Sequence, residues 1–389
     1  MTHQPHVDIG VHFSYPVVFT DHVFDPANHT LSDLMTAAGA ASGKAAPGFR
    51  VFVDGGLAAA QPELADAITA YCRHHLPQAP AEHPAILPGG ETAKNDWQQI
   101  KLVIDEIAAH NLCRHSYVVA VGGGAFLDAV GFAAALVHRG LRLVRLPSTA
   151  LAQDDSGVGT KNGINALGQK NYLGTFSPPF AVVNDFALLR TLPPDVVADG
   201  IAEAFKVAII KDADFFDFLC DHAADLGDPE GDALREAVRR AAGLHMQHIM
   251  TSGDPFELCT ARPLDFGHWA GHRLESMSDY QLRHGQGVAI GIALDSWYAQ
   301  QQGLLAEREL ERILAGLEAA GLPTWHPLLH NTDTNGDLAV LDGIEQFREH
   351  LGGTLCVTLP DGIGNKVELS TLDRARIADG IEFLRARNA

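Results

Sequence analysis

The sequence has 389 residues, 46% of them hydrophobic and 20% charged, which is the composition of an ordinary globular protein. A chain of this length exceeds what one hydrophobic core usually serves, so two domains are expected. The formal net charge of −20 disfavours nucleic acid and anionic membranes as partners, because both need a basic face. No apolar run approaches the roughly 20 residues of a membrane helix, and the first residues, MTHQPHVDIG, lack the basic-then-apolar layout of a secretory signal. Five scattered cysteines without a C-x-x-C pair suit a reducing compartment, so a cytoplasmic protein is predicted.

The first half of the chain alternates short apolar runs with helical patterns. The runs FRVFVD, YVVAVGGG, LRLVRLPST and FAVVND predict buried parallel strands at residues 49–54, 117–124, 141–149 and 180–185. The stretches NDWQQIKLVIDEIAAHN and AFLDAVGFAAALVHRG between them have helical periodicity. Strand, helix and strand in succession predict a right-handed βαβ architecture with ligands at the carboxyl ends of the strands.

The second half is predicted to be helical. From about Leu189 onward, stretches such as LPPDVVADGIAEAFKVAIIKDADFFDFL and ELERILAGLEAAG have helical periodicity, and convincing strands almost disappear. We therefore expect an α/β domain over residues 1–190 and an α-helical domain over residues 191–389. No long Pro/Ser-rich linker separates them, so closely packed domains with a cleft between them are predicted.

Two features of the first half suggest nucleotide binding. GGGAFLDAVGF follows a predicted strand and opens a helix, where backbone N–H groups and the helix dipole receive phosphate. It is not the dinucleotide fingerprint, because Leu127 takes the place of the third glycine, and an ordinary tight turn remains an equal alternative. Asp54 ends an earlier strand and could bind ribose hydroxyls, or form an Asx turn.

Lysines lie in polar, glycine-bearing segments of this acidic chain. PGGETAK pairs Glu91 with Lys94, and STALAQDDSGVGTKNGIN is predicted to be a polar loop containing Asp155 and Lys161. GQKNYLGTF adds Lys170 with its neighbouring asparagine. These lysines could form a local phosphate site. Ordinary surface lysines are the alternative.

A carboxylate and two histidines indicate a metal site. In GIAEAFKVAII, Glu203 and Lys206 lie one turn apart on an apolar helix face, which predicts either a buried ion pair or a metal ligand beside a catalytic ammonium. His268 and His284 open two later helical stretches. One carboxylate and two imidazoles with an open position suit catalytic zinc or a similar divalent ion. On spacing alone, either histidine is more often structural than a ligand.

The stretch TARPLDFGHWAGHRLE places Asp265, His268 and His272 on one helix face, because neighbours at i, i+3 and i+4 align. Such a face is typical of a metal site or a proton relay. It is also typical of an ordinary helix N-terminus with Asp265 as the cap.

The ordered set of motifs resembles the sugar phosphate cyclases, the superfamily of 3-dehydroquinate synthase. The motifs are GGGAFLDAVGF, HRG, LPSTALAQDDSGVGTK, GQKNYLGTF, GIAEAFK, LDFGHWAGH and RHGQGVAIG, and the similarity covers the chain from about residue 50 to residue 295. The resemblance implies a Rossmann-like NAD-binding domain, a helical metal-binding domain and a homodimer. It implies an enzyme that oxidises a ring hydroxyl with bound NAD, eliminates phosphate, returns the hydride, opens the ring and closes a carbocycle by aldol addition.

The resemblance also implies roles for individual residues. A metal such as zinc or cobalt would be held by Glu203, His268 and His284. The cofactor contacts would be Asp54, Glu91, Lys94, Gly122, Gly123, Gly124, Asp128, Ser148, Thr149, Asp155 and Thr191, with Lys161 and Lys170 serving the cofactor as well. The phosphorylated sugar would be surrounded by Lys161, Lys170, Asn171, Lys206, Asp265 and His272, with Arg139 reaching its phosphate.

Departures from the dehydroquinate synthase pattern bear on the substrate. The family has asparagine where Asp265 stands, arginine where Ala261 stands beside Arg262, and a lysine near Gln247. Its paired lysines near the C-terminus are missing from FREHLGGTLCVTLP. Fewer cations and one added carboxylate disfavour a substrate that carries a carboxylate, and favour a neutral polyol phosphate.

These replacements resemble the branch that cyclises sedoheptulose 7-phosphate, such as 2-epi-5-epi-valiolone synthase, whereas His272 in GHWAGH is closer to the dehydroquinate synthase-like proteins of Ebo clusters. The sequence therefore predicts a metal- and NAD-dependent cyclase of a seven-carbon ketose phosphate. Three alternatives remain: 3-dehydroquinate synthase itself, an NAD-dependent polyol dehydrogenase that releases NADH, and a non-catalytic scaffold. The three predicted metal residues are all present, which disfavours the scaffold.

Overall fold

A sheet-based N-terminal half and a helical C-terminal half make up the chain in a computed structural model, which describes residues 7–42, 48–76, 82–167, 169–252, 263–350 and 352–389. The strands are β1 (Val17–Thr20), β2 (Phe49–Asp54), β3 (Ala85–Leu87), β4 (Tyr117–Gly122), β5 (Arg142–Pro147), β6 (Lys161–Ala166), β7 (Gln169–Phe176), β8 (Ala181–Asp185), β9 (Val357–Pro360) and β10 (Lys366–Leu369). The helices are α1 (Thr30–Ser42), α2 (Gly55–Ala60), α3 (Leu64–His75), α4 (Trp97–Ala109), α5 (Gly124–Leu136), α6 (Pro194–Lys211), α7 (Ala213–Asp221), α8 (Asp232–Thr251), α9 (His268–Met277), α10 (His284–Gln301), α11 (Glu307–Ala319), α12 (Asp342–His350) and α13 (Arg374–Arg387).

The N-terminal half contains a parallel sheet in the order β1-β8-β5-β4-β2-β3. The four strands predicted from apolar runs are β2, β4, β5 and β8, so the predicted α/β architecture is confirmed. The sequence did not predict β1 and β3, which are the two edge strands. They are only four and three residues long, too short for a pattern to show.

Both faces of this sheet are covered, which explains why its central strands are apolar throughout. Val51 and Val53 of β2 pack into one core, and Phe52 between them packs into a second core on the opposite face. Successive side chains of a strand point to opposite faces, so a strand buried on both sides has no polar alternation. A third core fills the helical half.

The carboxyl ends of three neighbouring strands meet at one edge of the sheet. Val53 of β2 lies opposite Val121 of β4, and Gly122 lies opposite Pro147 of β5. Asp54, the Gly122–Gly124 turn and Ser148 therefore lie side by side. This edge is where open parallel sheets bind ligands.

Of the two segments predicted as polar loops after β5, residues 161–165 of the first and residues 169–176 of the second form an antiparallel hairpin, β6–β7, so the loop prediction is wrong there. Residues 152–156 of the first segment form a short helical turn. Tertiary contacts outweigh the loop-like composition, because the hairpin packs along α5. The buried Arg145 of β5 also anchors it. Its guanidinium donates to the carbonyl oxygens of Gly157, Gly159 and Lys161 and to Oδ1 of Asn162, at 2.7–3.0 Å.

The C-terminal half is helical, as predicted, with the addition of the antiparallel pair β9–β10. Helix α10 runs through its centre and is buried on nearly every side. Among the residues that the structure describes, no helix is both long and apolar enough to cross a bilayer. The division at residues 190 and 191 remains a prediction.

Candidate active site

Three helices each contribute one side chain to a compact cluster. Glu203 comes from α6, His268 is the first residue of α9, and His284 is the first residue of α10. Oε1 of Glu203 lies 3.2 Å from Nε2 of His284 and 3.6 Å from Nε2 of His268. One ligand atom from each residue lies within 4.8 Å of the others. The three residues that the resemblance assigned to a metal are thus brought together.

Glycines allow the three helices to approach this closely. A Cβ on Gly291 of α10 would lie 1.9 Å from the carbonyl oxygen of Gly267, which precedes α9. Gly267 also has a φ of +79°, a conformation that side chains disfavour. A Cβ on Gly285 would lie 2.3 Å from the Cα of Asp199 on α6. The backbones of α10 and its neighbours are therefore in contact beside the cluster.

Both imidazoles are oriented with Nε2 facing the carboxylate. Nδ1 of His268 lies 3.1 Å from the carbonyl oxygen of Phe266, and Nδ1 of His284 lies 2.9 Å from Oε1 of Glu275. Each Nδ1–H therefore has an acceptor, which leaves Nε2 as the available ligand atom. One carboxylate oxygen and two imidazole nitrogens at this spacing fit a divalent metal such as zinc.

Lys206 places a buried ammonium against the same carboxylate. Its Nζ contacts Oε2 of Glu203 and lies 3.8 Å from Oδ1 of Asp155. Burial alone would lower the pKa of Lys206, but Glu203 and Asp155 together raise it. Burial would likewise raise the pKa of Glu203, and Lys206 lowers it to about 2. The buried ion pair and the ligand geometry predicted as alternatives are therefore both present.

Asp265 and His272 flank the cluster. Asp265 ends a short helical turn, and Gly267 is the N-cap residue of α9, so Asp265 does not cap that helix. Its Oδ2 is buried and has no hydrogen-bond partner among the described residues. The exposed His272 ring lies 5.1 Å from that of His268 and 5.7 Å from that of His284, between ring centroids. The prediction of one helix face for Asp265, His268 and His272 therefore holds only for the two histidines, because Asp265 precedes α9.

The predicted cofactor residues gather in two groups, of which the first lies at the carboxyl edge of the sheet. The backbone N–H of Ser148 donates to the carbonyl oxygen of Gly122 at 2.9 Å, and a Cβ on Gly123 would lie 3.4 Å from Cγ2 of Thr149. Oδ1 of Asp54 accepts from the backbone N–H of Gly56 at 2.8 Å and caps α2. Asp54 therefore forms the Asx turn that the sequence offered as the alternative to ribose binding, and it does so through Oδ1.

The second group joins the hairpin to α5. Nζ of the buried Lys94 donates to Oδ2 of Asp128 at 2.7 Å and to Oδ1 of Asn171 on β7. Beside them, Oε1 of Glu91 accepts from Nδ2 of Asn165 on β6 at 3.1 Å. Both predicted cofactor residues of the PGGETAK motif thus contact the hairpin.

Three predicted site residues stand apart from these groups. Arg139 follows α5 and lies at the end opposite Gly124, about 20 Å along the helix axis. Thr191 accepts from Nε2 of Gln61 at 3.2 Å. Lys161 is exposed at the start of β6.

Two polar residues, the buried Glu275 and the partly buried His245, were missed at the sequence level. Glu275 contacts both His284 and Lys170, through Oε1 at 2.9 Å and Oε2 at 2.8 Å. Its position seven residues after His268 on the same helix could have revealed it. His245 of α8 contacts Oδ1 of Asp155 at 2.9 Å, and no spacing in the sequence points to it.

The positions that depart from the dehydroquinate synthase pattern lie in several parts of the chain. Gln247 is exposed on α8. Ala261 and Arg262 lie outside the described residues. The C-terminal segment FREHLGGTLCVTLP contributes to α12 and β9.

Comparisons with known proteins give the family. Models described as 3-dehydroquinate synthase N-terminal and 3-dehydroquinate synthase C-terminal match residues 84–199 and 200–341. A 3-dehydroquinate synthase from Sulfurovum sp. (strain NBC37-1) is 35% identical over 299 residues, which cover 77% of this chain and 82% of the relative. A 2-epi-5-epi-valiolone synthase from Actinomyces sp. is 31% identical over 382 residues, covering 96% and 95%. The chain belongs to the 3-dehydroquinate synthase family.

A solved structure extends the similarity to the whole fold. The 2-epi-5-epi-valiolone synthase ValA from Streptomyces hygroscopicus subsp. jinggangensis 5008, with NAD+ and Zn2+ bound, superposes with a TM-score of 0.86 at 29% identity, covering 98% of this chain and 99% of the other. The predicted superfamily and fold class are confirmed, as is the predicted class of enzyme, a phosphate-eliminating sugar phosphate cyclase.

Proposed function

We propose that this chain converts sedoheptulose 7-phosphate into a seven-carbon cyclitol, with release of phosphate and no net change in NAD. The observation that carries the proposal is the convergence of Glu203, His268 and His284 beside the buried ammonium of Lys206. The proposed metal is zinc or cobalt, and the proposed cofactor is NAD. Support comes from the similar ValA structure, which holds NAD+ and Zn2+.

The polar groups around this cluster would each serve a different step of the reaction. A divalent ion held by the three residues would polarise the hydroxyl being oxidised, and NAD at the glycine turn would take up and return the hydride. Lys206 keeps a positive charge beside Glu203 and Asp155, where it can stabilise an alkoxide as a proton leaves. Lys161 and Lys170 of the hairpin are proposed to neutralise the departing phosphate.

Asp265 is the residue proposed to select a neutral sugar. Its carboxylate is close enough to Lys206 and His268 to influence both of their pKa values, which places it at the cluster. A buried Oδ2 with no partner among the described residues can accept from a sugar hydroxyl. A substrate carboxylate at the same position would meet like charge.

We also propose how the chain is divided into domains and how it assembles. The first is the division into an NAD-binding domain over residues 1–190 and a metal-binding domain over residues 191–389. The second is a homodimer. Because Arg139 lies at the far end of α5 within one chain, its proposed contact with the substrate phosphate requires a second copy to supply it.

Phosphate release by the purified protein tests the proposed function. NAD, Zn2+ or Co2+, and sedoheptulose 7-phosphate are supplied, and absorbance at 340 nm is followed alongside. We expect stoichiometric phosphate release without accumulating NADH, and a carbocyclic product by NMR. Accumulating NADH without phosphate release would instead indicate a polyol dehydrogenase.

The second candidate is 3-dehydroquinate synthase, which the 35% identity to the Sulfurovum enzyme favours. Its substrate, 3-deoxy-arabino-heptulosonate 7-phosphate, is supplied to the same protein in a separate reaction. Phosphate release from this compound alone would replace the first proposal, because it would show that Asp265 tolerates a carboxylate. Release from neither compound, with NAD and metal bound, would overturn both.

A further inference from the structure

Glu275 links two parts of the site that lie on different elements. It belongs to α9, and its side chain is almost completely buried, with 4% of the residue exposed. Oε1 lies 2.9 Å from Nδ1 of His284 on α10, and Oε2 lies 2.8 Å from Nζ of Lys170 on β7. Each carboxylate oxygen therefore has a separate donor.

The contact with His284 determines which ring nitrogen is available. Because the Nδ1–H donates to Glu275, Nε2 faces Glu203. A carboxylate behind a metal-binding imidazole fixes its tautomer and ring orientation and increases its basicity as a ligand.

The contact with Lys170 holds the hairpin against the metal-side helices. The outer surface of the hairpin is exposed, as Leu167, Tyr172 and Phe176 show. Lys170 is half-buried and reaches α9 through Glu275. A charge-assisted hydrogen bond to a buried carboxylate is stronger than one between neutral groups.

We propose that Glu275 is a positioning residue with two roles. It orients His284 for metal binding, and it holds the β6–β7 hairpin against α9 through Lys170. The same carboxylate thereby places a metal ligand and a phosphate-facing lysine relative to each other. The proposal rests on the proposed metal set of Glu203, His268 and His284. It concerns how that set and the hairpin are held.

Glu275→Gln tests whether the carboxylate itself is needed, because the variant keeps the volume of the side chain. The amide has the same shape but only one acceptor oxygen, so it cannot serve both donors. In metal-free protein titrated with Co2+ or Zn2+, we expect the affinity to fall about 10–100-fold. The visible absorption of bound Co2+ is expected to shift, because the orientation of His284 changes. Hydrogen exchange of backbone amides in residues 161–176 is expected to become about fivefold faster, since one partly exposed charged contact is lost.

Lys170→Met isolates the hairpin contact. It should speed exchange in residues 161–176 to the same extent while metal affinity stays within about threefold of the original protein, because His284 keeps its acceptor. Glu307→Gln, on the exposed start of α11, is the matched control and should change neither quantity. Circular dichroism and urea unfolding of each metal-free variant verify that it folds.

Each failure has a distinct signature. If the unaltered protein binds no divalent metal, the proposed function fails at its metal set. If it binds metal and Glu275→Gln binds it equally well with the same Co2+ spectrum, the orienting role of Glu275 is refuted while the metal set stands. If backbone hydrogen exchange in residues 161–176 is unchanged in both Glu275→Gln and Lys170→Met, the role of Glu275 in holding the hairpin is refuted.

Discussion

The helical side and the hairpin side of the site are built in different ways. On the helical side, α6, α9 and α10 are in near backbone contact, and Glu203 and His268 lie in a continuous buried region. On the other side, the hairpin packs along α5 through buried Ile164, exposes much of its remaining apolar surface, and makes separate polar contacts, such as Lys94 with Asn171 and Lys170 with Glu275.

This difference indicates which functions are rigid and which are adjustable. Ligands fixed by close-packed helices are preorganised, because moving one of them requires moving a helix backbone. Segments with few buried apolar contacts open at lower free energy than the core. We therefore expect metal binding to depend on packing, and substrate handling to depend on individual polar contacts of the hairpin.

Removal of a proposed metal ligand should have the largest effect. His284→Ala leaves only two of the three proposed ligands, so we expect metal content near zero and phosphate release reduced well over 100-fold, beyond the roughly 10–100-fold cost of losing an outer-shell partner. Metal analysis and the phosphate assay measure this. His330→Ala removes a partly exposed histidine that pairs with Glu382 elsewhere, and should change neither. Full metal content in His284→Ala would contradict the assignment.

Removal of the buried ammonium should destabilise the metal-free protein. Lys206→Met leaves the Glu203 carboxylate buried without its cation, a loss of about 3–5 kcal/mol in the free energy of unfolding. Added Zn2+ should restore much of it by supplying a new positive charge. Urea unfolding with and without metal measures both. Lys211→Met, at the end of the same helix, should have a small effect, and an equal loss there would argue against a specific pair.

Widening the contact between α9 and α10 tests the rigid side directly. A Cβ on Gly291 would lie 1.9 Å from the carbonyl oxygen of Gly267, so Gly291→Ala should cost about 1–3 kcal/mol of stability and weaken metal binding. Gly243→Ala on α8 is the control, because a Cβ at this position would have no neighbouring atom within 4 Å. It should be neutral or slightly stabilising. Unchanged metal affinity in Gly291→Ala would show that the close contact is unnecessary for the site.

Asp265→Asn tests substrate choice without altering the metal set. If the carboxylate accepts from a sugar hydroxyl, kcat/KM for sedoheptulose 7-phosphate should fall about 10-fold, the value of one charged hydrogen bond. Metal affinity should change little. Unchanged kcat/KM on the neutral sugar would remove Asp265 from the list of substrate contacts.

The sequence predicted the parts of this molecule whose local pattern agrees with their final environment. The apolar runs of β2 and β4 could only be strands buried on both faces, and the family motifs identified Glu203 and His284. The β6–β7 hairpin was missed because its glycines, asparagines and lysines are typical of a loop. Its structure depends on Arg145 and α5, which are distant in sequence.

The sequence named candidate site residues one by one but not the contacts that join them. Glu275 was overlooked because its partners come from α10 and β7: its spacing of seven residues from His268 shows a shared helix face but not the residues that it contacts. Asp54 shows the opposite limit: its cap on α2 is local and was expected from turn chemistry. Contacts between elements, such as Lys94 with Asp128 and Asn171, become visible only in the folded chain.

The final prediction concerns how the stability of the helical side depends on pH. Oδ1 of Asp295 on α10 accepts from Nε1 of Trp269 at 2.8 Å, and Oδ2 accepts from the backbone N–H of Gly267 at 3.0 Å, on either side of His268. Burial raises the pKa of Asp295 to about 7, although these two hydrogen bonds oppose the rise. The unfolded chain ionises this group near its ordinary value, so folding takes up a proton between about pH 4 and pH 7.

Because the folded pKa is the higher one, the contribution of Asp295 is complete at low pH and is lost as the pH rises through 7. The free energy of unfolding should fall by at most about 1.4 kcal/mol per pH unit on this account. Asp295→Asn cannot ionise and should remove that part of the slope, measured by urea unfolding at pH 5, 6 and 7. Asp105→Asn, at an exposed position on α4, should leave the slope as it is. If both variants keep the original slope, Asp295 is ionised in the folded state and the two helices are joined by a buried charge.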